Sequence, residues 1–186
     1  MINQKVLNYL NKQKVGFTVI DHKKIFTAYD LAQTLKMDLK KVAKTLLVQA
    51  DKKFVIVIVP AHYRLDFKKL KKVLKAKQIK IPSEKIMEKV LKVKVGGITP
   101  FGALHGLETV VDKSLLKTQE TILNAGSFTQ SLRLKVKDFL KMEEARLGSF
   151  VESAGYKKPK VNKPKKVKAK KAKKIKKVNR VNKKKK

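Results

Sequence analysis

The sequence predicts a single domain of the mixed α/β or α+β class over about the first 145 residues, followed by a basic tail. Some segments repeat apolar residues at helical spacing and others are short β-branched runs, joined by both hairpin and helical connections. The 186-residue chain is 42% hydrophobic, which is enough for one packed core. Its basic charge is concentrated at the end, because the last thirty residues carry 18 of the 48 lysines and arginines and no acidic residue.

The first 35 residues predict a helix, a strand and a second helix. Apolar residues from Ile2 to Leu10 form a helical stripe, and we expect Gly16 to end this helix. Residues 17–20 predict a short strand. Thr27 followed three residues later by Asp30 is the capping pattern of a helix that buries its alanines and leucines.

Two neighbouring runs predict a β-hairpin in the middle of the chain. Residues 45–50 and 54–59 are strand-like and are separated by a charged turn at 51–53. The second run, FVIVIV, is apolar without interruption and is followed by Pro60. Such a run is typical of a strand that is buried on both faces.

The second half continues the alternation of helices and strands. Asp66 caps a helix with apolar residues on one side and lysines on the other, and residues 83–91 predict a further helix. Residues 107–111 predict a strand. Apolar and basic residues alternate over 132–137, which predicts a half-buried strand, and we expect Asp138 to open the last helix.

The net charge of +34 predicts a polyanionic partner. Nucleic acid is the most common one, because neutralised phosphates release counterions, and an anionic membrane surface is the alternative. The chain has no cysteine, which excludes disulfides, thiolate metal sites and cysteine nucleophiles. The N-terminal sequence has no signal-peptide pattern and no run reaches transmembrane length, so we expect a cytoplasmic protein.

The C-terminal segment predicts a disordered polybasic tail. Residues 157–186 contain lysine, valine, alanine, asparagine and proline but no aromatic residue, and they cannot bury enough apolar surface to fold. We therefore expect a folded domain over residues 1–148 and a linker with tail over 149–186. The tail lysines expected to bind nucleic-acid phosphates without reading bases are Lys157, Lys158, Lys165, Lys166, Lys170, Lys171, Lys173 and Lys174.

No catalytic motif is visible by residue type and spacing. The three histidines, His22, His62 and His105, are scattered and lack metal-ligand spacing, so no metal or cofactor is expected. The unusual stretch is VGGITPFGALHG at 95–106, which holds four of the eight glycines of the chain. It is either a plain turn or a loop whose backbone amides bind an oxyanion or a carbonyl.

The ordered part resembles the YbaK family, whose domain also occurs as the editing insertion of bacterial prolyl-tRNA synthetases. Six segments carry this resemblance in the family's order and at its intervals. They are VIDHKKIFTAYDLA (19–32), KKVAKTLLV (40–48), VIVPAHYRLDFKKL (57–70), GGITPFG (96–102), TVVDKSLL (109–116) and NAGSFTQSLRL (124–134). The resemblance implies a YbaK-like single domain, with a mixed, largely antiparallel curved sheet flanked by helices.

The same resemblance implies an enzyme that hydrolyses the ester of mischarged tRNA. In the family, a Gly-x-x-x-Pro loop lines the pocket for the aminoacyl group, which assigns Gly96, Gly97 and Pro100 to that pocket. Lys44 in the Lys-Thr-Leu segment matches the lysine that holds the tRNA 3′ end. A cation there positions the ester through the terminal phosphate, while a bound water attacks with help from the ribose 2′-hydroxyl of the substrate.

Further positions follow from the resemblance with alternative roles. The residues implied for the pocket wall are His22, Thr27, Gly102, Gly126 and Ser131. Thr27 is equally explained as a helix cap, and Gly126 as a plain turn. Arg64 either binds the tRNA backbone or braces a loop. Ser131 departs from the family, because some members carry an acidic residue near this position, and the resemblance therefore does not fix which aminoacyl group is removed.

The sequence thus predicts a monomeric, trans-acting aminoacyl-tRNA deacylase with tRNA as its partner. An aminoacyl-tRNA synthetase is a candidate second partner, and no membrane association is expected. The rival interpretation is a non-catalytic tRNA- or DNA-binding protein that keeps the fold and binds through its tail. A third is a regulatory paralogue that binds a synthetase or the ribosome.

Overall fold

The computed structural model describes residues 2–93 and 97–152. None of the helices in these two ranges is long and apolar enough to cross a membrane. The helices are α1 (Gln4–Lys12), α2 (Ala28–Thr34), α3 (Phe67–Leu74), α4 (Glu84–Leu91) and α5 (Val136–Met142). The strands are β1 (Phe17–Asp21), β2 (Ala43–Ala50), β3 (Lys53–Pro60), β4 (Arg64–Leu65), β5 (Ile79–Lys80), β6 (Glu108–Asp112), β7 (Glu120–Asn124), β8 (Gln130–Lys135), β9 (Arg146–Gly148) and β10 (Val151–Glu152). Three short 3₁₀ helices cover Leu39–Lys41, Gly102–His105 and Lys113–Lys117.

The central sheet has five strands in the order β5-β2-β3-β6-β9. β2 and β3 form the predicted hairpin, with Lys44 opposite Val59 and Ala50 opposite Lys53. β6 runs parallel to β3, and β9 runs parallel to β6, whereas β5 pairs with β2 in the antiparallel sense. The predicted mixed α/β class is confirmed.

A second sheet has the order β1-β8-β7, and all its pairings are antiparallel. A single parallel bridge between Val42 and Ile122 connects it to the start of β2. The α2 helix and the following 3₁₀ turn pack on this sheet around Ile122. A short pair, β10 with β4, lies beside the central sheet and extends the described fold to residue 152.

The core lies on both faces of the central sheet, and β3 separates the two halves. Ile56 and Ile58 of β3 face a larger cluster that includes residues of α1, α4 and α5. Val55, Val57 and Val59 face a smaller cluster covered by α3 and Phe150. All five are at most 3% exposed, which confirms that this strand is buried on both faces.

The first helix ends earlier than the sequence predicts. α1 stops at Lys12, four residues before Gly16, which has a negative φ and therefore does not act as a left-handed cap. The left-handed position is taken by Lys14 with φ of 53°. The prediction was wrong because a non-glycine residue at a helix end can pay the modest cost of this conformation when its side chain stays in solvent.

The last strand and helix meet two residues earlier than expected. β8 ends at Lys135, which is the N-cap of α5, and Val136 is the first helical residue rather than a strand residue. Asp138 lies within the first turn and does not open the helix. The alternating pattern misled the prediction because Val136 is buried in either conformation, being only 1% exposed.

Candidate active site

A cleft of about 230 Å³ opens at the free edge of β2. Strand β5 pairs only with Gln49 and Ala50, so the edge of residues 43–47 has no strand partner among the described residues. The cleft is lined by Ile25, Phe26, Thr27, Ala28, Leu31, Val42, Ala43, Lys44, Thr45, Leu46, Leu47, Ile81, Met87, Ile98, Asn124 and Ser131. A larger depression of about 840 Å³ lies elsewhere, along β7 and β8. We regard the smaller cleft as the candidate site because it brings three predicted residues, Lys44, Thr27 and Ser131, together with the glycine loop.

Lys44 places a cation at one end of the cleft. Its side chain is half-buried and its Nζ donates a hydrogen bond to the Tyr63 carbonyl at 2.5 Å. Burial lowers the pKa of Lys44 below that of an ordinary lysine, and the nearby Arg64 guanidinium lowers it further. No aspartate or glutamate is among the residues that line the cleft, so an anion bound beside Lys44 would meet no competing carboxylate there.

Ser131 and His22 form a hydrogen-bonded pair at the inner wall. Ser131 is 2% exposed, and its Oγ lies 2.9 Å from His22 Nε2. His22 Nδ1 lies 2.9 Å from the Lys23 carbonyl, which can only accept a hydrogen bond. Nδ1 therefore carries the proton, and Nε2 accepts from the Ser131 hydroxyl. The lone pairs of Ser131 Oγ stay available to a hydroxyl or ammonium group in the cleft.

The glycine loop, GGITPFG at 96–102, is described from residue 97 onward and borders the cleft. Its described residues are buried, and Ile98 contacts the cleft directly. Gly126 lies behind the loop with φ of 77°, and a Cβ there would lie 3.2 Å from Thr99 Cγ2 and 3.8 Å from the Gly97 oxygen. The turn at Gly126 therefore requires glycine and packs against Thr99 and Gly97 of the loop. This gives the position a structural role beside the cleft.

Other predicted residues lie near the cleft without sharing one role. Thr27 is exposed and lines the cleft mouth, and it is also the cap of α2, since its Oγ1 accepts from the Asp30 amide at 3.1 Å. Pro100 is buried within the loop. Gly102 does not line the cleft, and a Cβ there would come within 2.5 Å of the Leu107 carbonyl oxygen.

The remaining predicted residues are Arg64 and several positions outside the described residues. Arg64 is exposed on β4, close enough to Lys44 to affect its charge. Gly96 lies outside the described residues. So do all the tail lysines predicted to bind tRNA, namely Lys157, Lys158, Lys165, Lys166, Lys170, Lys171, Lys173 and Lys174.

Two cleft residues escaped the sequence analysis. Phe26 is 65% exposed at the mouth, with the Phe128 ring 5.5 Å beneath it and Lys24 Nζ 5.3 Å from its centroid. Thr45 Oγ1 is buried and has no hydrogen-bond partner among the described residues. Thr45 directly follows Lys44 in the Lys-Thr-Leu segment, so its position was a usable signal. Nothing in the sequence distinguished the exposed Phe26 from a core phenylalanine.

A buried carboxylate holds the segment that follows the glycine loop. Glu143 is 8% exposed and accepts hydrogen bonds from Tyr9 Oη at 2.8 Å, from Thr109 Oγ1 at 2.8 Å and from the Ala103 amide at 3.2 Å. Burial and the Glu143 carboxylate raise the pKa of Tyr9. Thr109 in turn accepts from the Gly102 amide at 3.2 Å, so one network fixes the start of the 3₁₀ turn.

Comparison with protein families identifies this arrangement. The model of the aminoacyl-tRNA editing domain matches residues 22–142, which span every described residue that lines the cleft. The chain belongs to the aminoacyl-tRNA editing domain family. The resemblance to YbaK-type editing domains that the sequence predicted is therefore confirmed.

Several individual proteins are similar to this editing domain. The "Prolyl-tRNA editing protein ProX" of Acetoanaerobium sticklandii is 23% identical over 79% of this chain and 93% of its own length. A "Proline--tRNA ligase" of Caldicellulosiruptor saccharolyticus is 34% identical over 76 residues, which are 41% of this chain and 13% of the ligase. The solved structure of "a putative trans-editing enzyme for prolyl tRNA synthetase" has a TM-score of 0.72 at 21% identity, covering 80% of this chain and 96% of that one, and it shows the shared fold.

Proposed function

We propose that the protein is a trans-acting aminoacyl-tRNA deacylase that hydrolyses the ester between a small aminoacyl group and the tRNA 3′ end. The observation that carries this proposal is the cleft itself. It combines the Lys44 cation, the Ser131 hydroxyl and apolar walls in about 230 Å³, which is below the ≈300–1,000 Å³ of sites for drug-sized ligands. Membership of the editing family and the similarity over most of its length to a prolyl-tRNA editing protein support the same reaction.

In this proposal Lys44 positions the substrate. The half-buried ammonium pairs with the phosphate of the terminal nucleotide, and the nearby Arg64 adds a second positive charge. Phe26, exposed at the mouth, offers a ring on which the terminal base stacks. Together these contacts hold the ester carbonyl against the glycine loop. The entropic cost of orienting the substrate is therefore met on binding, which lowers the barrier of the chemical step.

The carbonyl oxygen is proposed to meet backbone donors of the glycine loop. Ile98 lines the cleft, and its amide donates to no acceptor among the described residues. A free amide directed at a developing oxyanion stabilises the tetrahedral intermediate without reorganisation. Gly97 and Pro100 act by shaping this loop, and the unpartnered Thr45 hydroxyl is a further candidate donor.

Ser131 and His22 are proposed to move the proton. The attacking water, or the ribose 2′-hydroxyl that orients it, donates to Ser131 Oγ while the Ser131 proton moves to His22 Nε2, 2.9 Å away. The water oxygen bonds to the carbonyl carbon, and the bond from that carbon to the ribose 3′-oxygen breaks. The proton held on His22 returns through Ser131 to the departing 3′-oxygen, which leaves a free amino acid and tRNA.

A deacylation panel tests the proposal. Alanyl-, cysteinyl-, seryl-, threonyl- and prolyl-tRNA are incubated with the wild-type protein and with Lys44→Ala. We expect the wild type to hydrolyse one or two of these esters well above the spontaneous rate, and the variant to lose this activity while retaining most of its tRNA affinity. Spontaneous rates with all five esters, together with intact tRNA binding, would overturn the proposal.

The net charge of +34 favours a second candidate, a non-catalytic nucleic-acid-binding protein with an editing-domain fold. The same panel separates the two, because a binder has no turnover for Lys44→Ala to remove. In that case the polybasic C-terminal segment would carry the function.

A further inference from the structure

We propose that a lysine-rich surface beside the cleft, named here the α3 surface, binds the phosphate backbone of tRNA next to the ester. It is formed by Phe67, Lys68 and Lys71 of α3 and by Lys77 and Lys80 in and before β5, around a depression of about 430 Å³. This inference rests on the proposed function, because it names the route by which the acceptor end reaches the cleft.

The four lysines are held on a fixed backbone. Lys68 and Lys71 are three residues apart on α3, so they share one helix face with Cβ atoms about 5–6 Å apart. The Asp51 carboxylate accepts from the amide of Lys77 at 3.0 Å and from the amide of Gln78 at 2.8 Å. Asp51 lies in the β2–β3 turn, so this contact ties the segment before β5 to the central sheet.

The charges of the α3 surface are compensated only in part, by Asp51, whose pKa is lowered by the amides it accepts from and by the nearby Lys77 and Lys71. None of its four lysines forms an ion pair within the described residues, and Asp51 directs its carboxylate oxygens at backbone amides. In the groove along β7 and β8, two carboxylates, Glu120 and Asp138, line the surface, and Arg133 lies 4.0 Å from Glu120. The α3 surface therefore presents an excess of positive charge to a polyanion.

The α3 surface adjoins the cleft through two connections. Lys80 lines the depression and the next residue, Ile81, lines the cleft, so their Cα atoms are about 3.8 Å apart. On β2, Gln49 lines the depression and Leu47 lines the cleft, a separation of about 7 Å along a strand. A nucleotide chain whose terminal phosphate is held at Lys44, about 17 Å from Gln49 along β2, can therefore continue along this edge to the lysines.

An exposed aromatic ring completes the surface. Phe67 is the first residue of α3, is 42% exposed and borders the depression. Aromatic rings within positively charged grooves stack on bases without sequence preference, at about 1–3 kcal/mol per base. An RNA strand uses both features, whereas an anionic membrane needs only the charge. We therefore assign the surface to RNA.

The test compares two quadruple variants of the full chain. K68Q/K71Q/K77Q/K80Q removes the lysines of the α3 surface, and K41Q/K117Q/K135Q/K137Q removes four exposed lysines from the β7–β8 groove as a control with equal net charge. Binding of a proline tRNA transcript is measured by fluorescence anisotropy between 50 and 300 mM salt, and thermal unfolding confirms that both variants are folded. Four lost phosphate contacts lower the log–log salt slope by about 3, at 0.7–0.9 per contact.

A fall of about 3 in the first variant and of less than 1 in the control would support the proposal. Equal slopes in the two variants, or a larger fall in the control, would overturn it. Vesicles containing phosphatidylserine provide the membrane arm of the experiment. If the first variant loses vesicle binding and keeps its tRNA slope, the surface binds lipid and the proposal is wrong.

A second readout separates this proposal from the proposed activity. Each variant is assayed on the aminoacyl-tRNA that the wild type hydrolyses and on the corresponding 3′-aminoacyl-adenosine, which lacks the phosphate backbone. We expect the α3-surface variant to lose at least tenfold in kcat/KM on the tRNA and to match the wild type on the adenosine ester. An equal loss on both substrates would overturn the assignment. If the wild type hydrolyses neither ester, the deacylase proposal fails while the salt slopes still decide the α3 surface.

Discussion

Replacing Lys44 by methionine is expected to stabilise the fold and to lower the deacylase activity that we propose. The side chain is half-buried on β2, and both burial and Arg64 lower the pKa of its ammonium. The charged form of Lys44 therefore lowers the free energy of unfolding. Methionine keeps the volume of the stem without the charge. Relief of this destabilisation, beyond the lost hydrogen bond to the Tyr63 carbonyl, raises Tm, and each 1 kcal/mol gained corresponds to about 2–4 °C for a chain of this length.

The catalytic loss follows from the phosphate contact that we assign to this ammonium. A hydrogen bond to a charged group contributes about 1.5–3 kcal/mol, so kcat/KM is expected to fall about 10- to 100-fold. One phosphate contact changes the salt slope of tRNA binding by only about 0.7–0.9, so overall affinity is largely retained. Lys53→Met, at the exposed start of β3, is the matched control and should change neither quantity.

The pH dependence of the free energy of unfolding tests the same prediction independently. Because folding lowers the pKa of Lys44, the unfolded chain binds more protons between that lowered value and the ordinary value of lysine. Wild-type stability therefore gains from Lys44 as the pH rises through this window, and Lys44→Met removes the gain. Thermal unfolding from pH 7 to 10.5, compared between the two proteins, measures it. A lower Tm for Lys44→Met at pH 7, or a kcat/KM within twofold of the wild type, would refute the reasoning.

Four further changes have defined outcomes. Gly102→Ala places a Cβ 2.4 Å from Thr109 Oγ1, so we expect overpacking of about 3 kcal/mol and a Tm lower by roughly 6–12 °C in a thermal melt. Phe26→Ala should leave Tm unchanged because the ring is 65% exposed, yet lower kcat/KM by about 1–3 kcal/mol of lost stacking; an unchanged rate would exclude the stacking role. Ser131→Ala should lower kcat by about 10²–10⁴-fold with little change in KM, and Ser131→Thr should restore part of it. Glu143→Gln weakens three hydrogen bonds to a buried charge and should cost about 1.5–3 kcal/mol in denaturant unfolding, whereas Glu144→Gln, at an exposed position, should cost almost nothing.

The parts of the fold that the sequence predicted are those determined by local chemistry. The β2–β3 hairpin follows from two β-branched runs and a charged turn, and α2 from the reciprocal cap between Thr27 and Asp30. The ends of α1 and the start of α5 were misplaced. At the end of α1, Lys14 rather than glycine adopts the left-handed conformation. At the start of α5, the buried Val136 is compatible with a strand or a helix, so residue type alone does not decide the boundary.

The candidate site was predicted in part, and the remainder depends on contacts between distant segments. Lys44 is one of 48 basic residues, so only the family resemblance singled it out. The His22–Ser131 pair joins residues 109 positions apart, and the open edge of β2 exists because the two-residue strand β5 pairs with Gln49 and Ala50 alone. No local pattern encodes such features, since they arise when the strands acquire their register.

The Glu143 network makes the first helix part of the site's cooperative unit. Tyr9 belongs to α1, which precedes the matched editing segment at 22–142, yet its hydroxyl shares the carboxylate that holds Ala103 and Thr109 behind the glycine loop. Detaching α1 would remove one hydrogen-bond donor from the buried Glu143 carboxylate. The free energy of local opening of the network around Glu143 would fall as a result. An editing domain cut to residues 22–142 would lose both Tyr9 and Glu143, and with them the network behind the candidate cleft, although no residue that lines the cleft had been removed.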